Sequence, residues 1–137
     1  MYDMLKSAHD GVRWIVVILG VWVLLKTLIG WLRSQNYGKL DQQLWLGLIN
    51  ITGIQFLLGI TLIIWQIRLQ GIRSAALRLP LEHAVTNFIA IAVLMYASRF
   101  RKLDNDVLQH RNKFIAVLIA AVLVYLAVDR LDGWSFA

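Results

Sequence analysis

An all-α, integral membrane four-helix bundle is the fold class predicted for this sequence, and three observations predict it. Of 137 residues, 59% are hydrophobic and only 16% are charged, against about 45–50% and about 25% in soluble domains. The hydrophobic residues are gathered into four runs separated by three polar joints. None of the runs alternates apolar and polar with a period of two, as the strands of a membrane barrel do.

A helix crosses a bilayer with about 20 apolar residues, because the hydrocarbon layer is about 30 Å thick and each residue rises 1.5 Å. The first helix is expected over residues 12–32, and it contains VVILGVWVLL without a break. This run is too long for the apolar segment of a cleaved signal, and Asp3 and Asp10 precede it as well as Lys6, so it is expected to remain as a span. The turn-forming cluster 34–39 ends it. The second helix is expected over 44–67. Gln70, Gly71, Arg73, Ser74 and Pro80 mark the next joint. The third is expected over 81–98, closed by Arg99, Arg101, Lys102, Asp104, Asn105 and Asp106, and the fourth over 112–128. The last two are short, and Arg99 and Asn112-Lys113 are expected to lengthen them by snorkelling to the headgroups. Residues 1–137 are thus read as one four-span domain.

Trp14, Trp31, Trp45, Trp65 and Trp134 sit near run ends, where interfacial anchors belong, whereas Trp22 is expected to pack mid-membrane. Four spans place both termini on one side. Six Lys and Arg residues (6, 13, 68, 73, 78 and 130) then fall on that side and seven (33, 39, 99, 101, 102, 111 and 113) on the other. The dense cluster between helices three and four places the termini outside the cytoplasm.

Composition also excludes chemistry. With no cysteine there are no disulfides, thiolate nucleophiles, iron–sulfur clusters or cysteine-ligated metals. The net charge of +6 belongs to loops at a membrane surface rather than to a nucleic-acid partner. Arg68, Arg73 and Arg78 recur every five residues, about 140° further round a helix each time, so they form no basic face. The spans hold no series of Asp or Glu residues, which leaves a proton or cation pathway without its usual groups.

Other polar residues do lie within the runs. Lys26 is one turn from the membrane edge and is expected to snorkel. Asn50, Thr52 and Gln55 are expected to bond between helices. Asn87 shares a face with His83, one turn away. Gly20, Gly30, Gly47, Gly53 and Gly59 permit close approach of a neighbouring helix or of a flat cofactor.

His9, His83 and His110 each precede a hydrophobic run. Helices one and three run in the same direction, so His9 and His83 belong at one membrane face, within about one turn in level. His110 belongs at the opposite face. Two neutral imidazoles at one level are what the axial positions of a six-coordinate haem b require. Arg13, one turn after His9, is placed to pair with a propionate. Zinc is less well served, since Glu82 is the only carboxylate immediately beside the pair. Spacing alone leaves open whether these histidines are ligands or are tolerated at helix ends.

The segment Met4-Leu5-Lys6-Ser7-Ala8-His9-Asp10-Gly11-Val12-Arg13-Trp14 resembles the start of small bacterial four-helix membrane proteins labelled cytochrome b-like, which open on His-x-Gly-x-Arg-Trp. Glu82-His83 matches the Glu-His pair that opens their third helix. His110-Arg111 with Lys113 matches the start of their fourth, and residues 53–59 resemble their second. The resemblance spans nearly the whole chain. It implies a protein of the bacterial inner membrane that binds one haem b through His9 and His83, with Arg13 beside it, and transfers electrons. A membrane quinone or a protein redox partner would exchange those electrons. Gly53 departs from the pattern, because the family often carries a histidine there. If that histidine pairs with the one opening helix four, His110 has lost its partner here. The competing reading is a haem-free structural or assembly subunit of a larger membrane complex, for which small size and sparse buried polarity speak; in either reading other membrane subunits or further copies of the chain are the expected partners.

Overall fold

The computed structural model describes residues 1–71, 73, 75–99 and 105–130. Among them are four helices long and apolar enough to cross a membrane. These are α1 (Tyr2–Leu32), α2 (Lys39–Gln70), α3 (Arg78–Ala97, led in by a short 3-10 turn, Ala75–Leu77) and α4 (Asp106–Asp129). The chain is an all-α bundle compatible with a multi-pass membrane protein. Trp134, Asp132, Arg101, Lys102 and Asp104 lie outside the described residues.

All four helices start before their apolar runs, because polar residues also support the first turns. α1 begins at Tyr2, with Asp3 in its first turn and a Lys6–Asp10 ion pair of 3.1 Å one turn apart, both favourable at a helix N-terminus. α2 begins at Lys39, where the Asp41 carboxylate accepts the Gly38 N–H at 2.8 Å. α4 begins at Asp106, and the Asn105 side chain accepts the Leu108 N–H at 3.2 Å, satisfying one of the donors every helix start leaves free. Pro80 falls in the first turn of α3, where its missing N–H costs nothing.

Among the described residues, α1 packs on α2 and α4, and α3 packs on the same two helices, so α1 and α3 stand diagonally across the bundle. The α2–α3 seam is the least extensive of the four. The core gathers at the end carrying the α1–α2 loop. There Val23, Trp45, Leu48, Leu94 and Val117 pack with Ala90, Ala97, Ala116 and Ala120, and the alanines let α3 and α4 approach closely. α1 and α2 approach through Gly20 against Leu48 and Gly47 against Leu19. The half nearer the termini is more open.

Several expectations from sequence are corrected. Trp45 is no interfacial anchor. It is 1% exposed, and its Nε1–H donates to Ser98 Oγ at 2.8 Å. Trp22 does not pack inside; it is 53% exposed on the outer surface of the bundle. Lys26, by contrast, reaches toward the helix end as expected and there pairs with Asp41, in the first turn of α2, at 2.8 Å. Lys113 turns inward and is fully buried. Thr52 bonds the Leu48 carbonyl of its own helix, Asn50 is exposed, and the buried Gln55 Oε1 has no hydrogen-bond partner among the described residues. Among the described residues, none of the three bridges helices. Local satisfaction is the cheaper solution for a hydroxyl in a helix, because the i−4 carbonyl is always within reach.

Candidate functional site

The open half of the bundle encloses a cavity of about 450 Å³ lined by all four helices, a size in the usual range for ligand pockets. It exists because the close-packed alanines of α3 and α4 and the α1–α2 glycine contacts end before this level. Tyr2, Lys6 and Gln66 stand at its mouth, and Val16, Val17, Thr52 and Ile91 at its floor.

His9 and His83 both line this cavity. They arrive from the diagonal helices α1 and α3. The His9 ring lies against α2 where there is no side chain. A Cβ at Gly59 would sit 3.3 Å from His9 Nε2, so this glycine leaves room for the imidazole. His9 Nδ1 is 3.8 Å from the Asp10 carboxylate. His83 Nδ1 is 3.1 Å from the Ala127 carbonyl of α4. A carbonyl only accepts, so Nδ1 carries the proton and Nε2 keeps the free lone pair, the tautomer of an Nε2 metal ligand.

Arg13 lines the cavity one turn deeper than His9, and its guanidinium lies 5.3 Å from the Trp14 ring centroid. Gln55 and Asn87 line the same stretch, and Asn87 Nδ2 donates to the His83 carbonyl at 2.8 Å. Glu82 faces other partners. Arg130 Nη1 lies 2.7 Å from one carboxylate oxygen and Arg78 Nε 3.2 Å from the other, which ties the start of α3 to the end of α4. Among the described residues no three His, Asp or Glu side chains converge as a metal-binding set.

His110 lies at the other end of the bundle and does not line the cavity. It is fully buried, packed edge-on to Tyr37 with ring centroids 5.2 Å apart. Its Nε2 lies 3.3 Å from the Asn36 carbonyl. A Cβ at Gly30 would fall 2.5 Å from His110 Nδ1, so the ring fills the space over Gly30 with no room for a second flat group. Nothing lies within 4 Å of a Cβ at Gly53, so that position faces away from His110 and from the cavity wall.

Beside His110 is a polar cluster that sequence reading did not anticipate. Lys113 Nζ donates to Tyr37 Oη at 2.7 Å and lies 3.9 Å from the Tyr37 ring centroid. Tyr37 Oη donates in turn to Gln42 Oε1 at 3.1 Å. A signal for it exists in the spacing. Ala120, Ala116/Val117, Lys113 and Gln109/His110 recur every three or four residues, so they continue one inward stripe of α4. The cluster clips the α1–α2 loop to α4 and closes that end.

The chain matches no family model, no curated protein and no solved structure to which it was compared.

Proposed function

We propose that this chain is a haem-b-binding electron-transfer protein of the bacterial inner membrane, holding the cofactor through His9 and His83. The observation that carries the reading is the convergence of two imidazoles, from diagonal helices, on one cavity of about 450 Å³. Two donors alone make a poor cage for a bare ion, but they are the complement of a macrocycle that brings four donors of its own. Bound haem supplies a one-electron iron couple. The protein's own residues do the rest. Ala127 fixes the His83 tautomer. Gly59 admits the His9 ring. Val16, Val17, Ile60, Ile63, Val124 and Val128 give the cavity apolar walls that limit water and so tune the potential. Arg13 places a positive charge within reach of a carboxylate.

The placement of Lys26 beside Asp41 adds an eighth positive residue to the side bearing the α1–α2 loop. This supports termini outside the cytoplasm.

A reduced-minus-oxidised spectrum of protein purified from a haem-replete host tests the reading. A low-spin b-type spectrum is expected. His9→Ala and His83→Ala should each remove it, while His110→Gln, which keeps a donor for Asn36, should retain it. Absence of any Soret band from the wild-type chain overturns the proposal in favour of the haem-free subunit.

A further inference from the structure

Among the described residues, no other part of the chain covers the outer face of α2. Leu46, Ile54 and Leu57 are 43%, 50% and 65% exposed, and Asn50 and Thr61 are exposed beside them. At about 100° per residue, these five lie within about 80° of one another and opposite the inward residues Trp45, Leu48, Thr52 and Ile63. Gly53 lies at the margin of the same stripe, and a Cβ there would meet nothing within 4 Å.

Asn50 is the anomaly. The span hydroxyls satisfy themselves: Thr27, Thr52, Thr61 and Thr86 each donate to the carbonyl one turn back, and Asn87 donates likewise to His83. The Asn50 side chain makes no hydrogen bond among the described residues. It lies six residues inside the start of the apolar run, about 9 Å below the interface, too deep for so short a side chain to reach the headgroups. Hydrocarbon offers it no donor or acceptor.

We propose that the outer face of α2 is the interface of a parallel homodimer in which the two Asn50 side chains hydrogen-bond to each other across the twofold axis. A carboxamide carries both a donor and an acceptor, so its natural complement on a twofold is a second carboxamide. Two copies inserted with the same orientation set their α2 helices parallel, which brings equivalent positions on this face together. The spacing 46–50–53/54–57–61 is made of three- and four-residue steps that keep to one helix face, as a helix–helix seam requires, and a single Asn within such a seam fixes its register. Gly53, with open space over it, lets the two backbones approach.

The test uses the whole chain in phosphatidylethanolamine–phosphatidylglycerol vesicles, with fluorescence energy transfer between donor- and acceptor-labelled copies measured against the protein-to-lipid ratio. A saturable dimer signal is expected. Asn50→Leu should weaken association about 5- to 30-fold, the loss of two interhelical bonds in lipid, and Asn50→Gln should restore most of it. Gly53→Leu should weaken it independently. Because the chain has no cysteine, single-cysteine variants map the seam. Asn50→Cys, Ile54→Cys and Leu57→Cys should cross-link, whereas Ile18→Cys and Val85→Cys on other exposed faces should not. A monomer at all ratios, which would leave this face to a different subunit, overturns the proposal. So does a dimer indifferent to both Asn50→Leu and Gly53→Leu, or one that cross-links through other faces.

Discussion

Replacing Gly30 by alanine tests the tightest contact in the bundle. The added Cβ would lie 2.5 Å from both Cε1 and Nδ1 of His110 and 2.6 Å from its Cγ, about 1 Å closer than ordinary van der Waals contact. The ring cannot yield freely. It is fully buried, sits edge-on to Tyr37 and holds the Asn36 carbonyl at 3.3 Å. Overpacking of this kind costs about 1–3 kcal/mol. If the ring escapes by giving up Asn36, the lost buried bond costs about 1–3 kcal/mol instead. The intrinsic preference of a helix for alanine over glycine returns only about 0.5–1 kcal/mol. The net expectation is a destabilisation of about 1–2 kcal/mol. Reversible unfolding in mixed micelles, followed by circular dichroism, measures it. A double-mutant cycle sharpens the expectation. On a His110→Ala background the clash is gone, so Gly30→Ala should be neutral or stabilising by up to about 1 kcal/mol. If the two substitutions prove additive, or Gly30→Ala alone leaves stability unchanged, the packing of His110 over Gly30 is refuted.

Four further outcomes follow from other parts of the molecule. Trp45→Phe should cost about 1–3 kcal/mol, since it removes the Nε1–H bond to Ser98 and volume from the core; an interfacial Trp45 would show almost no loss in the same unfolding assay. Tyr37→Phe should cost about 1–3 kcal/mol by taking the hydroxyl acceptor from the buried Lys113 ammonium, and Lys113→Met should offset part of that loss in the double variant. Asp41→Ala should be more destabilising than Lys26→Met, because Asp41 holds both Lys26 at 2.8 Å and the Gly38 N–H at 2.8 Å. In cysteine-accessibility mapping, Gln35→Cys and Asn105→Cys should label from one side of the membrane and Ser7→Cys and Arg130→Cys from the other; a split within either pair refutes four spans.

The spans were legible in the sequence because a bilayer leaves a chain few options. Backbone groups in hydrocarbon must be satisfied within the segment, so each long apolar run becomes a helix. The placement of His9 and His83 at the same end was legible too, since odd-numbered helices run in the same direction. Tertiary structure decided what helix direction cannot: that α1 and α3 stand diagonally, and that the bundle is dense around Trp45 and open around His9. Helices that are apolar all round carry little record of which face turns inward. Trp45 and Lys113 show the consequence. Each has an apolar body and a polar tip near a helix end, and such a residue can anchor at the interface or bury itself on a partner. The partner decides, and for these two it is Ser98 at the end of α3 and Tyr37 in a loop, side chains far away in sequence that only folding brings within reach.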